Sequence, residues 1–318
     1  SATKFAVPES LWNDDVAADL SPPELLLYRS NLLGSDLTVT NFGGGNTSAK
    51  LEGVDPLTGE TVDVLWVKGS GGDIGSMKIE GFATLYQSRL LELEKHYSGP
   101  DDDDKMVGYL PHCTYNLNTR AASIDTPLHS LLPFAHIDHV HPDAIIALAA
   151  SSEGEAATQE IWNGKIGWLP WKRPGFTLGV MIRDYVKQNP DVQGVMLAGH
   201  GIICWADTAK DCYEHTIQLI ADAASYLNEK LGDAPAFGGE IVAPNPERRA
   251  IAAALMPKLR ALMTGDRPKL AHYSDDAETL EFVGSADFER LARLGTSCPD
   301  HFLRTKIAPL TLDPERLN

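Results

Sequence analysis

Two histidines separated by a single residue are the side chains in this sequence with the clearest chemical potential. On an extended chain, residues two apart point to the same side, so His139 and His141 would project their imidazoles together and Val140 the other way. Neutral imidazoles are common ligands of transition metals. The apolar run 144–150 that follows predicts a buried element that holds the pair in place. One more ligand would complete a catalytic metal site with an open position.

His200 is the candidate for that third ligand. It has a glycine on either side and stands between Gly194–Leu197 and Ile202–Trp205, two apolar segments that predict strands. The fold would have to bring this histidine back against the first pair. Two other histidines, His129 and His136, compete for the same role.

Asp125 is the candidate general acid or base. It precedes Pro127 and a predicted helix, so a helix N-cap explains the same residue, and the two roles are compatible. If this segment is helical, His129 lies on the same side as Asp125, because the two are four residues apart.

Two glycine-rich loops, 44–48 and 70–72, follow β-rich segments. Each could present backbone N–H groups to a phosphate, although two tight turns explain the glycines equally well. The sequences of these loops are Gly44-Gly45-Asn46-Thr47-Ser48 and Ser70-Gly71-Gly72. The second loop begins like a dinucleotide-binding fingerprint, but Ile74 occupies the third glycine position, and no Gly-Lys-Ser/Thr follows. A nicotinamide-dependent dehydrogenase is therefore disfavoured.

The composition is that of a globular protein with a sizeable core. The chain has 318 residues, of which 43 % are hydrophobic and 22 % charged, and its net charge is −17. This charge argues against nucleic-acid binding, which needs basic surface. The sequence has no membrane-spanning run and no apolar signal segment, and its 4 cysteines form no Cys-x-x-Cys pair. We expect a cytoplasmic protein with reduced thiols that does not contact membranes.

Local patterns predict the elements that would hold these residues. Ser21 and Glu24 predict a capping box at the start of a helix. Apolar residues at 82, 86, 90 and 93 have helical spacing, and the tryptophan-, glycine- and proline-rich stretch 162–175 indicates a packed loop. Glycines and prolines in 235–246 favour a boundary, so we predict a catalytic domain over residues 1–240 and a C-terminal extension over 241–318.

The ordered set of motifs resembles the class II aldolase/adducin family. In chain order, the matching motifs are Gly45-Asn46-x-Ser48, Ser70-Gly71, Ser123-x-Asp125-x-x-x-His129, His139-x-His141-Pro142 and Gly199-His200-Gly201. The residues around Asp125 and His139, together with the tail Thr296–Lys306, are most similar to the aldolase part of the two-domain rhamnulose-1-phosphate aldolase/alcohol dehydrogenase proteins.

This resemblance implies an α/β fold: a three-layer α/β/α domain around a mostly antiparallel sheet, here with a small C-terminal α+β extension. It implies a homotetramer with sites between subunits, and Zn²⁺, or another divalent metal, held by His139, His141 and His200. It implies a catalytic carboxylate at Asp125. The residues that it implies for binding the substrate phosphate are Gly45, Asn46, Ser48, Ser70, Gly71 and Ser123.

Two features depart from the family pattern. The usual Ser-Ser-Glu is Ser123-Ile124-Asp125 here, so one phosphate-binding hydroxyl is missing and the acid is one methylene shorter. The family's C-terminal tyrosine, which comes from a neighbouring subunit, has no match in this sequence.

The function implied is metal-dependent retro-aldol cleavage of a phosphorylated ketose. The candidate substrate is L-rhamnulose 1-phosphate, which would give dihydroxyacetone phosphate and L-lactaldehyde through a zinc-stabilised enediolate. A Lewis acid suits this reaction because breaking C3–C4 leaves negative charge on the ketone half. The alternatives are an epimerase, dehydratase or decarboxylase acting on a related sugar phosphate, or a non-catalytic adducin-like module.

Overall fold

A computed structural model describes residues 4–40, 44–118 and 120–312 of the chain. The contacts divide it into two units. The larger comprises Phe5–Leu227 together with Ser297–Asp300, and the smaller includes Asn228–Thr296. The predicted boundary after residue 240 stays a prediction.

The larger unit is built on a 7-stranded sheet with the order β3-β2-β1-β4-β7-β6-β5. The strands are β1 (Asn46–Val54), β2 (Thr61–Lys68), β3 (Phe82–Tyr86), β4 (His136–Val140), β5 (Ile166–Leu169), β6 (Gly194–Leu197) and β7 (Gly201–Ala206). Only β5 and β6 pair in parallel among these strands, so the predicted mostly antiparallel sheet is confirmed.

Helices cover the sheet, and helices are also the regular secondary structure of the smaller unit within the described residues. Those in the first part of the chain are α1 (Asp14–Ala17), α2 (Pro22–Ser35), α3 (Gln87–Glu92), α4 (Asp103–Tyr109), α5 (Thr126–Ser130), α6 (Asp143–Ala149), α7 (Gly154–Trp162), α8 (Phe176–Gln188) and α9 (Ala209–Leu231). They are followed by α10 (Arg248–Met263), α11 (Ala277–Gly284), α12 (Phe288–Leu294) and α13 (Pro299–Arg304). Short 3-10 turns lie at Ile79–Gly81, Leu93–His96, Pro100–Asp102 and Leu110–Cys113. None of the helices in the described ranges is both long and apolar enough to cross a bilayer.

Alternation along the strands produces the three layers. In β7, Ile202 and Cys204 face a core formed with α2, α6, α7 and α9, while Ile203 and Trp205 face a second core formed with α5 and α8. The sheet is therefore buried on both sides, as expected for an α/β/α arrangement.

Three local predictions have clear outcomes. The capping box is confirmed, since the Glu24 carboxylate accepts a hydrogen bond from the Ser21 N–H at 2.9 Å. The helical spacing at 82–93 was misleading, because Phe82–Tyr86 is the edge strand β3, and a helix begins only at Gln87. The predicted loop 162–175 contains β5, which pairs with β6.

A buried ion pair joins α2 to the central strand. The Nε of Arg29 lies 3.1 Å from Oδ1 of Asp138, and both side chains are fully buried. Arg29 also donates to the Ser48 carbonyl at 2.7 Å, and Thr216 of α9 donates to Asp138 at 2.9 Å. Because the charges are paired and hydrogen-bonded, removing one partner would leave the other uncompensated in the core.

We predict that Arg29→Met lowers the free energy of unfolding by about 3–5 kcal/mol, measured by chemical denaturation. The double variant Arg29→Met/Asp138→Leu should recover much of this loss, because it leaves no unpaired charge. Lys210→Met, which removes an exposed ion pair with Asp14, is the matched control and should change stability little. An equal effect of the Arg29 and Lys210 substitutions would contradict the prediction.

Candidate metal centre

The central strand β4 positions the first histidine. His139 is paired with Asn46 of β1 on one side and with Ile203 of β7 on the other. Its Nδ1 lies 2.9 Å from the carbonyl oxygen of Ile202, and this acceptor selects the tautomer with the proton on Nδ1. The Nε2 lone pair of His139 is therefore directed away from the sheet hydrogen bonds and is available as a ligand.

His141 lies one residue beyond the end of β4. Its Nδ1 is 2.6 Å from Oδ2 of Asp300, a residue of α13 far along the sequence. The carboxylate accepts from Nδ1–H and so leaves Nε2 unprotonated in the neutral ring. Gly201 packs directly against this imidazole, and a Cβ there would come within 2.5 Å of Cδ2 of His141.

A tight turn between β6 and β7 delivers His200. Leu197 pairs with Gly201, and the His200 N–H donates to the Leu197 carbonyl at 3.0 Å. Gly199 within the turn has φ of +62°, a left-handed conformation that favours glycine. The two predicted strands flanking His200 are thus confirmed, and their turn brings its ring against the other two.

The three Nε2 atoms converge at one point. The Nε2 of His139 lies 3.1 Å from that of His200 and 3.0 Å from that of His141. Tetrahedral zinc with bonds of 2.0–2.1 Å would separate its nitrogen ligands by about 3.3 Å. Because His139 and His141 use their ring protons on other acceptors, their facing Nε2 lone pairs cannot hydrogen-bond to each other when neutral. A shared cation resolves this contact, so the residues fit a divalent metal.

The electrostatics also favour neutral, ligating imidazoles. Burial, with a smaller effect of His141, lowers the pKa of His139 to about 3. Burial, followed by the neighbouring His139 and His141, holds the pKa of His200 well below its usual value. All three rings are buried, at 5 % exposure or less. Neither His139 nor His200 would carry a competing proton near neutral pH.

The competing histidines lie outside this cluster. His129 is fully buried, and its Nδ1 is 2.7 Å from the Ser48 hydroxyl. His136 is at the start of β4, with its Nδ1 2.8 Å from the Arg29 guanidinium. Of the histidine, cysteine and acidic groups in the described residues, only His139, His141 and His200 form a cluster of three or more that could hold a metal.

Asp125 stands at the N-terminus of α5, near the histidine cluster. Its Oδ1 is buried and has no hydrogen-bond partner within the described ranges. Burial raises the pKa of Asp125, and the neighbouring charges of His141 and then Lys68 oppose this effect. A carboxyl group with a raised pKa and a free oxygen beside a metal centre can hold and transfer a proton.

Ser123 and the first glycine loop meet next to this carboxylate. The Asn46 amide donates to the Ser123 hydroxyl at 3.3 Å, and the same hydroxyl accepts from the Asp125 N–H at 3.2 Å. Gly45 passes close to β4, where a Cβ would lie 2.9 Å from the His139 carbonyl oxygen. By contrast, Ser48 is 1 % exposed and bonded to His129, so its hydroxyl is engaged within the protein.

The second glycine loop is joined to the segment that carries Ser123. The Ser70 N–H donates to the Ala121 carbonyl at 2.8 Å, and Gly69 forms an isolated antiparallel bridge with Ala122. Ser70 and Gly71 are exposed, and the loop therefore presents a surface next to Ser123. The structure brings the two predicted loops to neighbouring parts of one site.

Residue types and spacing alone did not predict two residues at this site, Asp300 and Lys68. Asp300 contacts His141, and its only signal was the family resemblance of Thr296–Lys306. Lys68, at the end of β2, is 3 % exposed, and its signal was its position directly before the second glycine loop. Both residues reach the site through packing between parts of the chain that are far apart in the sequence.

We predict that His141→Ala removes bound metal, because two imidazoles cannot hold the ion against dialysis. Metal content per chain, measured by inductively coupled plasma mass spectrometry, should fall from stoichiometric to near zero. His112→Ala, an exposed histidine, is the control and should retain the metal. Full metal retention by His141→Ala would show that the cluster does not bind it.

We also predict that Asp300→Ala weakens metal affinity about ten- to hundredfold, because the carboxylate orients the His141 ring and fixes the proton on Nδ1. Competition with a chromophoric chelator gives the affinity, and the exposed Asp266→Ala is the control. Equal affinities of the two variants would rule out this role for Asp300.

Comparisons with known proteins relate this chain to a family. A family profile described as the class II aldolase and adducin N-terminal domain matches residues 25–227, and one described as the second domain of class II aldolase matches residues 250–318. The N-terminal class II aldolase domain of a conserved protein from Thermoplasma acidophilum is 29 % identical, with a TM-score of 0.59 over 71 % of this chain and 100 % of that one.

A relative from Bacillus subtilis (strain 168), named uncharacterized oxidoreductase YuxG, is 40 % identical over 306 residues. The match covers 95 % of this chain but only 44 % of the relative, so the chain spans less than half of that protein. The family match over most of the larger unit agrees with the resemblance in the sequence motifs. The chain belongs to the class II aldolase and adducin family.

Proposed function

We propose that the protein catalyses metal-dependent retro-aldol cleavage of a phosphorylated ketose, with L-rhamnulose 1-phosphate as the substrate and dihydroxyacetone phosphate and L-lactaldehyde as the products. The observation that carries this proposal is the convergence of three Nε2 atoms at 3.0–3.1 Å beside a carboxylate with a raised pKa. Class II aldolases use this combination, and the chain belongs to their family.

A divalent metal at His139, His141 and His200 would supply Lewis-acid stabilisation of the negative charge that forms when C3–C4 breaks. The protein's own residues would manage the proton. The proton on the C4 hydroxyl would pass to solvent water as the aldehyde forms, C3 of the ketone half would gain a proton from Asp125, and the Asp125 carboxylate would regain a proton from solvent. The raised pKa of Asp125 suits this transfer, because it keeps the carboxyl group protonated more readily than a solvated aspartate.

The glycine loops would position the substrate. Asn46, Ser123, Ser70 and Gly71 would hold the phosphate and so fix the reacting carbons relative to Asp125. For Asn46 this role would fall to its Nδ2 donor, which lies 3.3 Å from the Ser123 hydroxyl, because the buried Oδ1 without a partner in the described structure is an acceptor and cannot bond a phosphate oxygen. A phosphate-binding role for Ser48 would require its hydroxyl to leave His129.

The name of the Bacillus subtilis relative suggests a second activity, which we do not assign to this chain. That name belongs to a protein of which this chain covers 44 %. The second glycine loop here leads to Ile74, not to the third glycine of a dinucleotide fingerprint. The homotetramer and the cytoplasmic location stay predictions from the resemblance and the composition.

We expect L-rhamnulose 1-phosphate to yield dihydroxyacetone phosphate in a coupled assay. A chelator should abolish the product, and added Zn²⁺ should restore it. An epimerase would give an isomer of unchanged mass, whereas a dehydratase or decarboxylase would give a lighter product. Metal-loaded protein that releases no dihydroxyacetone phosphate from this substrate would contradict the proposal.

Within the same assay, Asp125→Asn should lower kcat by about 10²–10⁴-fold, the range for loss of a general acid. Asp125→Glu, which restores the acid usual in the family, should retain far more activity than Asp125→Asn. Metal content should be unchanged in both variants. A kcat of Asp125→Asn close to that of the unmodified protein would contradict proton transfer by this residue.

A further inference from the structure

Lys68 is a buried cation with no counter-ion in contact. It ends β2 with 3 % exposure, and no residue of 4–40, 44–118 or 120–312 lies within hydrogen-bond or ion-pair distance of its ammonium group. Burying an ammonium without a partner is costly. Burial lowers the pKa of Lys68, and Asp125, Asp300 and Asp73, in order of decreasing effect, act against this lowering.

Arg120 lies over the second glycine loop. Its Cβ is close to Gly69, and a Cβ added to Gly72 would approach its guanidinium nitrogen Nη1 at 3.5 Å. Arg120 is exposed and, like Lys68, has no ion pair with another described residue. The charged end of the Arg120 side chain is therefore available next to the loop.

Both cations line one cavity. It has a volume of about 210 Å³, and its lining residues are Lys68, Gly71, Gly72, Asp73, Ser76, Met77, Gly81 and Arg120. This corresponds to the volume of about seven waters in the liquid, enough for a phosphate group and part of a sugar. A Cβ at Gly71 would meet nothing within 4 Å, so the loop backbone opens directly onto free space.

The acidic residue in the cavity wall is already engaged. The carboxylate of Asp73 accepts a hydrogen bond from the Ser76 hydroxyl at 2.8 Å and one from the Gly75 N–H at 3.3 Å. These two hydrogen bonds direct the Asp73 carboxylate toward the loop to which it belongs. Among the charged side chains that line this cavity, Lys68 and Arg120 are the ones without a hydrogen bond or ion pair to another described residue.

We propose that Lys68 and Arg120 bind the phosphate of the substrate, so that recognition at the second glycine loop depends on charge and not only on neutral donors. This inference rests on the proposed function for its phosphorylated substrate. The phosphate-binding residues implied by the family resemblance are all uncharged. With a net charge of −17, the protein as a whole repels an anionic substrate, and local cations would offset that repulsion.

A purely structural role for Lys68 makes a different prediction. If the lysine served only to balance Asp125 and Asp300, replacing it would change stability and the catalytic carboxylate but not the affinity for free phosphate. The two roles therefore separate in a binding measurement that needs no catalysis.

The test is isothermal titration of chelator-treated protein with inorganic phosphate, so that bound metal cannot contribute. Lys68→Met, which preserves side-chain length, should weaken binding about ten- to hundredfold, the value of a charge-assisted hydrogen bond. Arg120→Gln should weaken it less, because that residue is exposed. Lys68→Arg should restore part of the affinity, and Lys78→Gln, an exposed lysine outside the cavity, should leave it unchanged.

Activity provides an independent readout. If L-rhamnulose 1-phosphate is cleaved, Lys68→Met and Arg120→Gln should raise KM more than they lower kcat. Unchanged phosphate affinity in both variants would overturn the inference, whatever the activity, and so would acetate binding as tightly as phosphate. If the two variants lose phosphate affinity but the unmodified protein cleaves no ketose phosphate, the inference stands and only the proposed reaction is rejected.

Discussion

The structure depends on holding three imidazole nitrogens together in a buried place. His139 is the shared partner, with its Nε2 at 3.0 and 3.1 Å from those of His141 and His200. His139 and His141 direct their ring protons to other acceptors, so their facing Nε2 lone pairs repel one another when both rings are neutral, and buried charged rings would be costlier still. The fold must therefore force the contact, and it does so with a central strand, a tight turn and packing against glycine. A divalent cation bound by the three rings would remove this repulsion and stabilise the cluster.

The strand β4 also carries Asp138, whose charge is paired on the opposite face of the sheet. Along β4, His139 points to one face of the sheet and Asp138 to the other, where Arg29 and Thr216 meet it. This pair ties α2 and α9 to the strand that presents the ligand. Because Arg29 also donates to the Ser48 carbonyl of β1, it fixes the two strands that bring Asn46 opposite His139. The position of His139 is thus coupled to a buried ion pair on the far side of the sheet.

Much of this site could be predicted from short-range patterns. The spacing of His139 and His141 needs only an extended chain, and the glycine-flanked His200 between two apolar runs needs only a turn. The sequence-based predictions failed where pairing between distant segments determines the secondary structure. Phe82–Tyr86 has helical spacing but becomes β3 because β2 supplies a partner, and β5 forms within a stretch whose composition indicates a loop. Asp300 could not be placed from spacing, because no local pattern connects it to His141.

The first glycine loop packs directly against the Asp300 side chain, although the two are far apart in the sequence. Gly44 has no side chain, and the Asp300 carboxylate occupies the space that a Cβ would fill, which fits the first glycine loop against the His141 partner. The carboxylate of Asp300 would offset part of the charge of a divalent metal on neutral imidazoles. Lys68 and Arg120 would then offset the dianion of a bound phosphate. The charges proposed to bind the metal and the phosphate would therefore be balanced by these two ligands, and this balance would favour the binding of both.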